Sequence, residues 1–181
     1  MTFIETILKG CFVIEPKIYK DNRGYFFESF NSKGFNIGIG KVVNFVQDNR
    51  SVSSKGVLRG LHYQIGEHAQ AKLVSVINGR VLDVAVDLRK GSSTYGNHIT
   101  IELSAENKKQ LFVPRGFAHG FIVLSEQAEF FYKCDNYYNQ KAEAGILFND
   151  KDLSIDWKTA QEDIVLSAKD SELPSFKNAK L

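Results

Sequence analysis

Three segments of the sequence carry arginine, histidine or tyrosine within stretches that otherwise have the composition of buried β-strands. Arg59 and His62 lie in GVLRGLHYQ, His119 lies in GFAHGF, and Tyr132 lies in AEFFYKC. A polar group buried without a partner costs about 1–3 kcal/mol, so polar residues inside a β-barrel are the informative positions. Histidine gains and loses protons near neutral pH, tyrosine is a neutral proton donor, and arginine is a fixed cation. If these side chains share a cavity, they are the residues that could carry chemistry, and an anion that the protein binds would have to meet such a local cluster.

Whether Arg59 and His62 share a cavity depends on the path of one strand. Strict alternation places them on opposite faces, so a shared cavity requires a kink, and Gly60 is the position where a β-bulge forms most easily. The alternative is an edge strand with exposed charges. The alternative for His119 is a buried histidine whose hydrogen bonds are made within the core. The alternative for Tyr132 is a side chain that only packs in the barrel.

The elements that must position these residues show a period of two. Between residues 81 and 88, one face carries the apolar residues and the other carries two aspartates, which predicts a half-buried strand. The apolar positions are Leu82, Val84, Val86 and Leu88, and the aspartates are Asp83 and Asp87. Residues 72–77 form a second strand-like segment, and Asn78-Gly79 between the two predicts a hairpin with a two-residue turn.

Strand-like segments continue at intervals of about ten residues. They occupy residues 98–103, 110–113, 117–124 and 128–135, and in the last of these Tyr132 shares a face with Ala128, Phe130 and Cys134. Helical patterns are weak and are confined to residues 33–39 and 157–168, which we interpret as short helices or loops. The sequence therefore predicts an all-β antiparallel sandwich or barrel.

Composition narrows the class of protein. The 181 residues, of which 43% are hydrophobic, predict one globular domain spanning 1–181. The 23 basic and 21 acidic residues leave too little net charge for a nucleic-acid coat, and two cysteines are too few for a disulfide-stapled secreted fold. Glu5 stands where a signal peptide would begin its apolar stretch, and no apolar run reaches the length of a membrane helix. We therefore expect a cytoplasmic protein that binds neither nucleic acid nor membrane.

Taken together, the segments resemble the dTDP-4-dehydrorhamnose 3,5-epimerases, sugar-nucleotide epimerases of the cupin superfamily. The order and spacing of the motifs carry the resemblance along nearly the whole chain. The matching segments are DNRGYFFESF, FVQDNRSVSSKGVLRGLHYQ, QAKLVSVINGRVLDVAVDLRKGSSTYG, VPRGFAHGF, AEFFYKCDNYYNQKAE, DLSIDW and LSAKD. The resemblance implies a cupin-type jelly-roll barrel of antiparallel strands with a few short helices, and an isomerase that inverts C3 and C5 of dTDP-4-keto-6-deoxy-D-glucose in dTDP-L-rhamnose biosynthesis.

The resemblance also implies roles for individual residues. His62 is similar to the family's general base, Asp170 to the carboxylate that orients it, Tyr132 to the opposing acid and Lys72 to the cation that stabilises an enolate. The implied substrate-binding residues are Arg23, Glu28, Gln47, Asp48, Asn49, Arg59, His119, Tyr138, Glu143 and Lys169. Arg23 and Glu28 are expected to reach a neighbouring subunit's site, in a homodimer that exchanges N-terminal strands. By itself, the DNRGYFFE segment that contains them predicts only a surface hairpin.

Many cupins bind a metal through a His-x-His pair, and this sequence departs from that pattern. Gln64 stands where the second histidine would fall, and Lys72 supplies a cation near the expected carboxylate, so we expect no metal and no cofactor, with His68 as the one competing ligand. Three alternative functions remain open. They are a 3-epimerase or keto-isomerase acting on a related nucleotide sugar, a non-catalytic sugar-nucleotide-binding cupin, and a metal-dependent oxygenase. Retention of Tyr132 favours the double epimerase.

Overall fold

The computed structural model describes residues 1–181 and consists mainly of antiparallel strands. Two short α-helices and four 3-10 turns accompany thirteen strands. The strands are β1 (Thr2–Glu5), β2 (Phe12–Glu15), β3 (Tyr19–Asp21), β4 (Gly24–Phe26), β5 (Gln47–Ser54), β6 (Leu58–Gln64), β7 (Lys72–Asn78), β8 (Arg80–Asp87), β9 (His98–Ser104), β10 (Gln110–Val113), β11 (Phe117–Val123), β12 (Gln127–Cys134) and β13 (Glu143–Gly145). The helices are α1 (Ser32–Ile39) and α2 (Ala168–Ser171). None of the helices is long and apolar enough to cross a lipid bilayer.

The strands form two sheets that face each other, as expected for a cupin-type jelly roll. The six-stranded sheet has the order β1-β2-β10-β7-β12-β5, and the five-stranded sheet has the order β13-β6-β11-β8-β9. Strands β3 and β4 form a separate two-stranded hairpin. A cluster of fifteen buried residues fills the space between the sheets and draws on both, with Val74 and Phe130 from one sheet and Ala85 and Phe121 from the other.

The outer faces of both sheets are also covered. Helix α1, which begins after Asn31 with its side chain accepting from the Gly34 N–H, packs Phe35 and Ile39 on the six-stranded sheet. The C-terminal part of the chain covers the five-stranded sheet, where Phe148 and Trp157 are buried. Hydrogen bonds between backbone groups fasten this C-terminal segment, from Leu147 N to Pro174 O and from Leu58 N to Val165 O.

The covered outer face corrects the prediction for residues 81–88. Strand β8 is buried on both faces rather than one, because Leu82, Val84 and Val86 contact the C-terminal segment. Asp83 and Asp87 consequently point toward the interior of the sandwich and have no solvent-exposed surface. The apolar face of β8 is the outer face, and the aspartates that suggested a solvated face are internal.

The predicted hairpin at Asn78-Gly79 is also wrong. Strand β7 pairs with β10 and β12, whereas β8 pairs with β9 and β11, so the two strands belong to different sheets. The turn itself is real, because Gly79 has a φ of +77°. A Cβ at this position would lie 2.0 Å from the carbonyl oxygen of Gln127, so the corner requires glycine. Asn78-Gly79 therefore turns the chain from one sheet to the other.

The predicted kink at Gly60 is confirmed. Along the pair β6–β11, His62 lies opposite His119 but Arg59 lies opposite Phe121, so β6 contains one more residue than its partner in this interval. A Cβ on Gly60 would lie 2.6 Å from the Cα of Gly120, and the strands could not approach as they do. The bulge resets the alternation of β6 and allows Arg59 and His62 to line the same cavity.

Candidate active site

The space between the sheets opens into two adjoining cavities. The larger has a volume of about 470 Å³ and the smaller about 250 Å³. Both are lined by His62, Lys72 and Tyr132, which therefore lie where the cavities meet. His62 comes from β6 of the five-stranded sheet, whereas Lys72 and Tyr132 come from β7 and β12 of the six-stranded sheet. The histidine and the other two groups thus approach the cavity from opposite walls.

The shortest side-chain contact of the site joins His62 to Asp170. His62 Nε2 lies 2.7 Å from Asp170 Oδ1, and the two side chains are 28% and 5% exposed. When the carboxylate accepts the Nε2–H, the other ring nitrogen is left unprotonated and can take a proton from a ligand. A carboxylate in this position also stabilises the imidazolium that such a transfer produces.

Asp170 belongs to the short helix α2, and hydrogen bonds hold both its backbone and its side chain in place. Ser167 caps this helix by accepting from the Asp170 N–H, and the Gly60 N–H donates to Asp170 Oδ2 over 3.4 Å. Burial alone would raise the pKa of Asp170, but the hydrogen bond and charge of His62, with the Gly60 and Ser167 contacts, outweigh it and hold the pKa below its usual range. The group that faces His62 is therefore a carboxylate at neutral pH.

Tyr132 faces the cavity with the properties of a neutral donor. Burial raises its pKa, the Cys134 thiol acts in the same direction, and the positive charge of Arg59 opposes both. Its ring packs 6.0 Å from that of Phe130, so the face that Tyr132 shares with Phe130 is the inward face of β12. A buried phenol keeps its proton at neutral pH and can donate it to a carbanion.

Lys72 is a cation that the protein leaves without a carboxylate partner in contact. Its Nζ lies 5.9 Å from the centre of the Tyr132 ring. Burial lowers its pKa, while the more distant charges of Asp83 and Glu143 act in the opposite direction. An ammonium held in this way is available to stabilise an oxyanion that forms in the cavity.

Arg59 lines the larger cavity and is oriented by a residue that the sequence did not single out. Its Nε donates to Ser53 Oγ over 3.1 Å, and Ser53 is only 7% exposed. This bond leaves the two terminal nitrogens of the guanidinium free for a ligand, and such a fork suits the oxygens of a phosphate. A serine at an inward position of β5 is a weak signal, because serine is equally common on exposed strands.

His119 lines the larger cavity, but its ring is already hydrogen-bonded to Asp83. Asp83 was not identified from the sequence as a residue of the site. His119 Nε2 lies 2.9 and 3.0 Å from the two oxygens of Asp83, which is fully buried. Burial raises the pKa of Asp83, and the charge and hydrogen bond of His119 counteract it. His119 is thus both a satisfied core residue and a lining residue, so the two interpretations were not exclusive. An aspartate in an otherwise apolar strand was the signal for Asp83.

Three of the residues predicted to bind the nucleotide, Tyr138, Glu143 and Lys169, form one cluster at the mouth of the smaller cavity. Glu143 Oε2 accepts from the Tyr138 hydroxyl over 2.9 Å and also forms a short ion pair with Lys169. Burial would raise the pKa of Glu143, but the hydrogen bonds from Lys169 and Tyr138 outweigh it and hold the pKa low. Tyr138 is 51% exposed, and its ring is therefore available to a flat ligand group.

The run Gln47-Asp48-Asn49 is divided between the two faces of β5. Gln47 and Asn49 line the smaller cavity and are hydrogen-bonded to each other over 3.0 Å. Asp48 points to the outer face, where its carboxylate pairs with Lys133 over 3.0 Å. Asp48 thus lines neither cavity of its own chain, because successive residues of a strand face opposite sides, and its contact with substrate stays a prediction.

Arg23 and Glu28 lie away from both cavities of the chain. Arg23 is the turn residue of the β3–β4 hairpin, its side chain is 85% exposed, and it pairs only with Asp21. Glu28 follows the hairpin and accepts from the Asn31 side chain. The hairpin also exposes Phe26, which is 69% accessible.

The donor atoms of the cavity do not suit a divalent metal. The Nε2 atoms of His62 and His119 are both hydrogen-bonded to carboxylates, and Gln64 uses its side-chain oxygen to accept from the Asn139 N–H. His68 points its Nε2 to the side chain of Asn139 rather than to the cavity. Lys72 lines the same cavity as His62 and His119, and its positive charge would repel a second cation there.

The barrel and the acid–base groups on its opposite walls define a cupin-type enzyme of the epimerase class. A family model described as dTDP-4-dehydrorhamnose 3,5-epimerase matches residues 5–178. A dTDP-4-dehydrorhamnose 3,5-epimerase of Salmonella typhimurium is 52% identical over 181 residues, which cover 100% of this chain and 98% of the relative. The chain belongs to the dTDP-4-dehydrorhamnose 3,5-epimerase family.

Solved structures agree with this assignment. The crystal structure of dTDP-4-dehydrorhamnose 3,5-epimerase from Elizabethkingia anophelis superposes with a TM-score of 0.96 and 59% identity, covering 98% of this chain and 97% of the other. The dTDP-6-deoxy-D-glucose-3,5-epimerase of Legionella pneumophila has a TM-score of 0.93 and 48% identity, covering 98% and 93%. That Legionella structure is a complex with dTDP-4-keto-L-rhamnose.

Proposed function

We propose that this isomerase inverts C3 and C5 of dTDP-4-keto-6-deoxy-D-glucose and releases dTDP-4-keto-L-rhamnose. The observation that carries the proposal is the His62–Asp170 pair on one wall of the cavity, with Tyr132 and Lys72 on the other. A base on one side and an acid on the other is the arrangement that inversion at a carbon requires. Membership of the family and the ligand of the Legionella relative support the choice of substrate.

The reaction follows from the acidity of the hydrogens next to the C4 carbonyl. His62 takes the proton from C3 or C5, the C–H electron pair forms a carbon–carbon double bond to C4, and the carbonyl electrons move to the oxygen. Lys72 stabilises that enolate oxygen. Tyr132 then donates its proton to the opposite face of the same carbon as the carbonyl re-forms, and we expect C5 to depend on this donation more than C3. Exchange with solvent returns the imidazolium and the phenolate to their starting states.

The remaining predicted residues suit the nucleotide and diphosphate. We assign Arg59 and Lys169 to the diphosphate, because both are cations that line the larger cavity. Gln47, Asn49, Tyr138 and Glu143 line the smaller cavity and form the nucleoside side. His119 contributes to the wall beneath the sugar. The enzyme acts as a single domain without metal or cofactor, and we place it in the cytoplasm, where its two buried cysteines stay reduced.

Arg23 and Glu28 complete the partner's site in a homodimer that exchanges N-terminal strands. The exposure of the hairpin and its distance from both cavities of its own chain support this role. Mixed dimers test it. Arg23→Ala and His62→Ala are each inactive alone, but a mixture regains activity if the two residues serve one site from different subunits. Activity absent from the mixture, or a fully active monomer by light scattering, contradicts the exchange.

Proton NMR in deuterated buffer tests the reaction. With dTDP-4-keto-6-deoxyglucose and no added metal, we expect deuterium at both C3 and C5. Deuterium at C3 alone would indicate a 3-epimerase, and no exchange would indicate a binding protein or a different nucleotide sugar. His62→Ala is the matched control, and it should abolish exchange at both carbons. Exchange near the wild-type rate in this variant would contradict the assignment of the base.

A further inference from the structure

The segment that carries Tyr138 is tied to both walls of the barrel at the mouth of the smaller cavity. The Tyr138 N–H donates to Gln47 Oε1 over 3.1 Å, and the Asn139 N–H donates to Gln64 Oε1 over 3.0 Å. Gln47 belongs to β5 of the six-stranded sheet and Gln64 to β6 of the five-stranded sheet. Two consecutive backbone amides are therefore held by side chains from opposite sheets.

Both glutamines are themselves constrained. Gln64 is only 7% exposed. Gln47 donates its Nε2 to Asn49 Oδ1 over 3.0 Å, and Asn49 in turn contacts the Cys134 sulfur over 3.7 Å. A side chain held at both ends loses little further entropy when it accepts a hydrogen bond, so it positions its partner well. By contrast, the ring of Tyr138 is half exposed, and only its backbone and the hydrogen bond from its hydroxyl to Glu143 hold it in place.

The chemistry of an amide suits this position. A glutamine oxygen accepts a backbone N–H without adding a second negative charge to a cavity that already holds the Glu143 carboxylate. Gln64 stands where the metal-binding pattern of cupins has a histidine, and its oxygen is used for a loop rather than for an ion. This use gives a physical reason for glutamine at residue 64 in a site without a metal.

We propose that Gln47 and Gln64 are positioning residues that hold Tyr138 for the nucleoside end of the substrate. The proposal rests on the proposed function. It predicts that loss of either glutamine oxygen weakens binding of the nucleotide and leaves the chemical step alone, because His62, Asp170 and Lys72 keep their own contacts.

The test combines hydrogen exchange with kinetics. Gln64→Met removes the acceptor and keeps the length of the side chain, and Gln47→Met does the same on the other wall. We expect faster amide exchange in a peptide covering residues 136–142, and a KM for the nucleotide sugar raised about fivefold with little change in kcat. Inhibition by thymidine diphosphate should weaken to the same extent, and inhibition by inorganic pyrophosphate should not. Gln161→Met, on an exposed 3-10 turn, is the control.

Several outcomes would overturn the proposal. Unchanged amide exchange would show that the glutamines do not hold the segment, and faster exchange with unchanged KM would show that its position does not matter for binding. Equal loss of thymidine diphosphate and pyrophosphate binding would indicate general damage to the site. If Gln64→Met does not fold, Gln47→Met carries the same test. If the wild-type enzyme exchanged neither C3 nor C5 hydrogens of the sugar, the proposed function would be contradicted. Backbone amide exchange in residues 136–142 would still show whether Gln47 and Gln64 hold this segment.

Discussion

His62 Nε2 and Asp170 Oδ1 lie 2.7 Å apart although 108 positions separate the two residues in the sequence. His62 is on a strand of the barrel, whereas Asp170 is on a helix of four residues in the C-terminal segment. That segment reaches the site because it covers the outer face of the five-stranded sheet, with a bridge between Val57 and Val165 just before it turns inward. The catalytic pair therefore depends on packing outside the barrel.

Replacing Asp170 by asparagine should lower kcat by about 10²-fold or more, because an amide cannot stabilise the imidazolium of His62. Since the pKa of Asp170 is held below its usual range, the wild-type rate should show no titration of this carboxylate between pH 5 and 9. Steady-state kinetics across that pH range provide the measurement. Asp163→Asn, in an exposed turn of the same segment, should behave as wild type. A wild-type kcat in Asp170→Asn would remove Asp170 from the mechanism.

Lys72→Met should separate activity from stability. Loss of the ammonium removes the stabilisation of the enolate and should reduce kcat by about 10²–10³-fold. Because burial lowers the pKa of Lys72, its charged form is a cost to the fold, so the variant should melt at the same or a higher temperature. Kinetics and calorimetry on one preparation test both statements. A lower melting temperature with unchanged kcat would mean that the lysine is structural.

Tyr132→Phe removes one oxygen and keeps the ring that packs against Phe130. We expect completion of the reaction at C5 to fall by about 10²-fold while exchange at C3 is less affected. The measurement is deuterium incorporation at the two carbons, followed in a single NMR sample. Equal loss at both positions would argue against a role specific to C5.

Asp87 should govern part of the acid sensitivity of the fold. Burial works against its charge, but hydrogen bonds from Arg89, Ser92 and Thr94 outweigh it and hold its pKa well below the usual range. The unfolded chain then binds a proton more readily than the folded one, so the contribution is complete above the ordinary aspartate pKa of about 4 and is lost as pH falls below it. Urea titrations at several pH values measure this dependence.

The matching variant is Asp87→Ala, which should cost about 3 kcal/mol of unfolding free energy at pH 7 because it leaves Arg89 without its partner. The difference from wild type should shrink below pH 4. Asp156→Ala breaks an exposed pair with Lys158 and should have little effect. A constant difference between pH 7 and pH 3 would contradict the assignment.

Local signals predicted the strands and the bulge, but they could not assign strands to sheets. The glycine at residue 60 was enough to predict the position of the β-bulge in β6, because a bulge forms most easily at a glycine. The Asn78-Gly79 turn is equally local, yet whether it joins partners in one sheet depends on which strands β7 and β8 meet elsewhere. The burial of Leu82, Val84 and Val86 on the outer face depended on a covering segment that lies far away in the sequence.

In the candidate site, too, residues within sequence motifs could be predicted, whereas contacts between distant strands could not. The four residues assigned to catalysis were available through motifs, and the structure brings His62, Lys72, Tyr132 and Asp170 to one cavity. Ser53 was missed because its hydrogen bond to Arg59 is a contact between strands, which no single-strand pattern shows. The motif did not show that Asp48 faces away from Gln47 and Asn49, because that depends on which face of β5 is inward.

The position of Asp170 near the end of the chain has a consequence during synthesis. A ribosome produces the strand with His62 well before the helix with Asp170, so a nascent barrel can close around its cavity while the histidine still lacks its counter-charge. The His62–Asp170 pair forms only after the helix with Asp170 has emerged and docked. Proteolytic cleavage between residues 157 and 167 would therefore separate His62 from its counter-charge and uncover apolar residues of the five-stranded sheet.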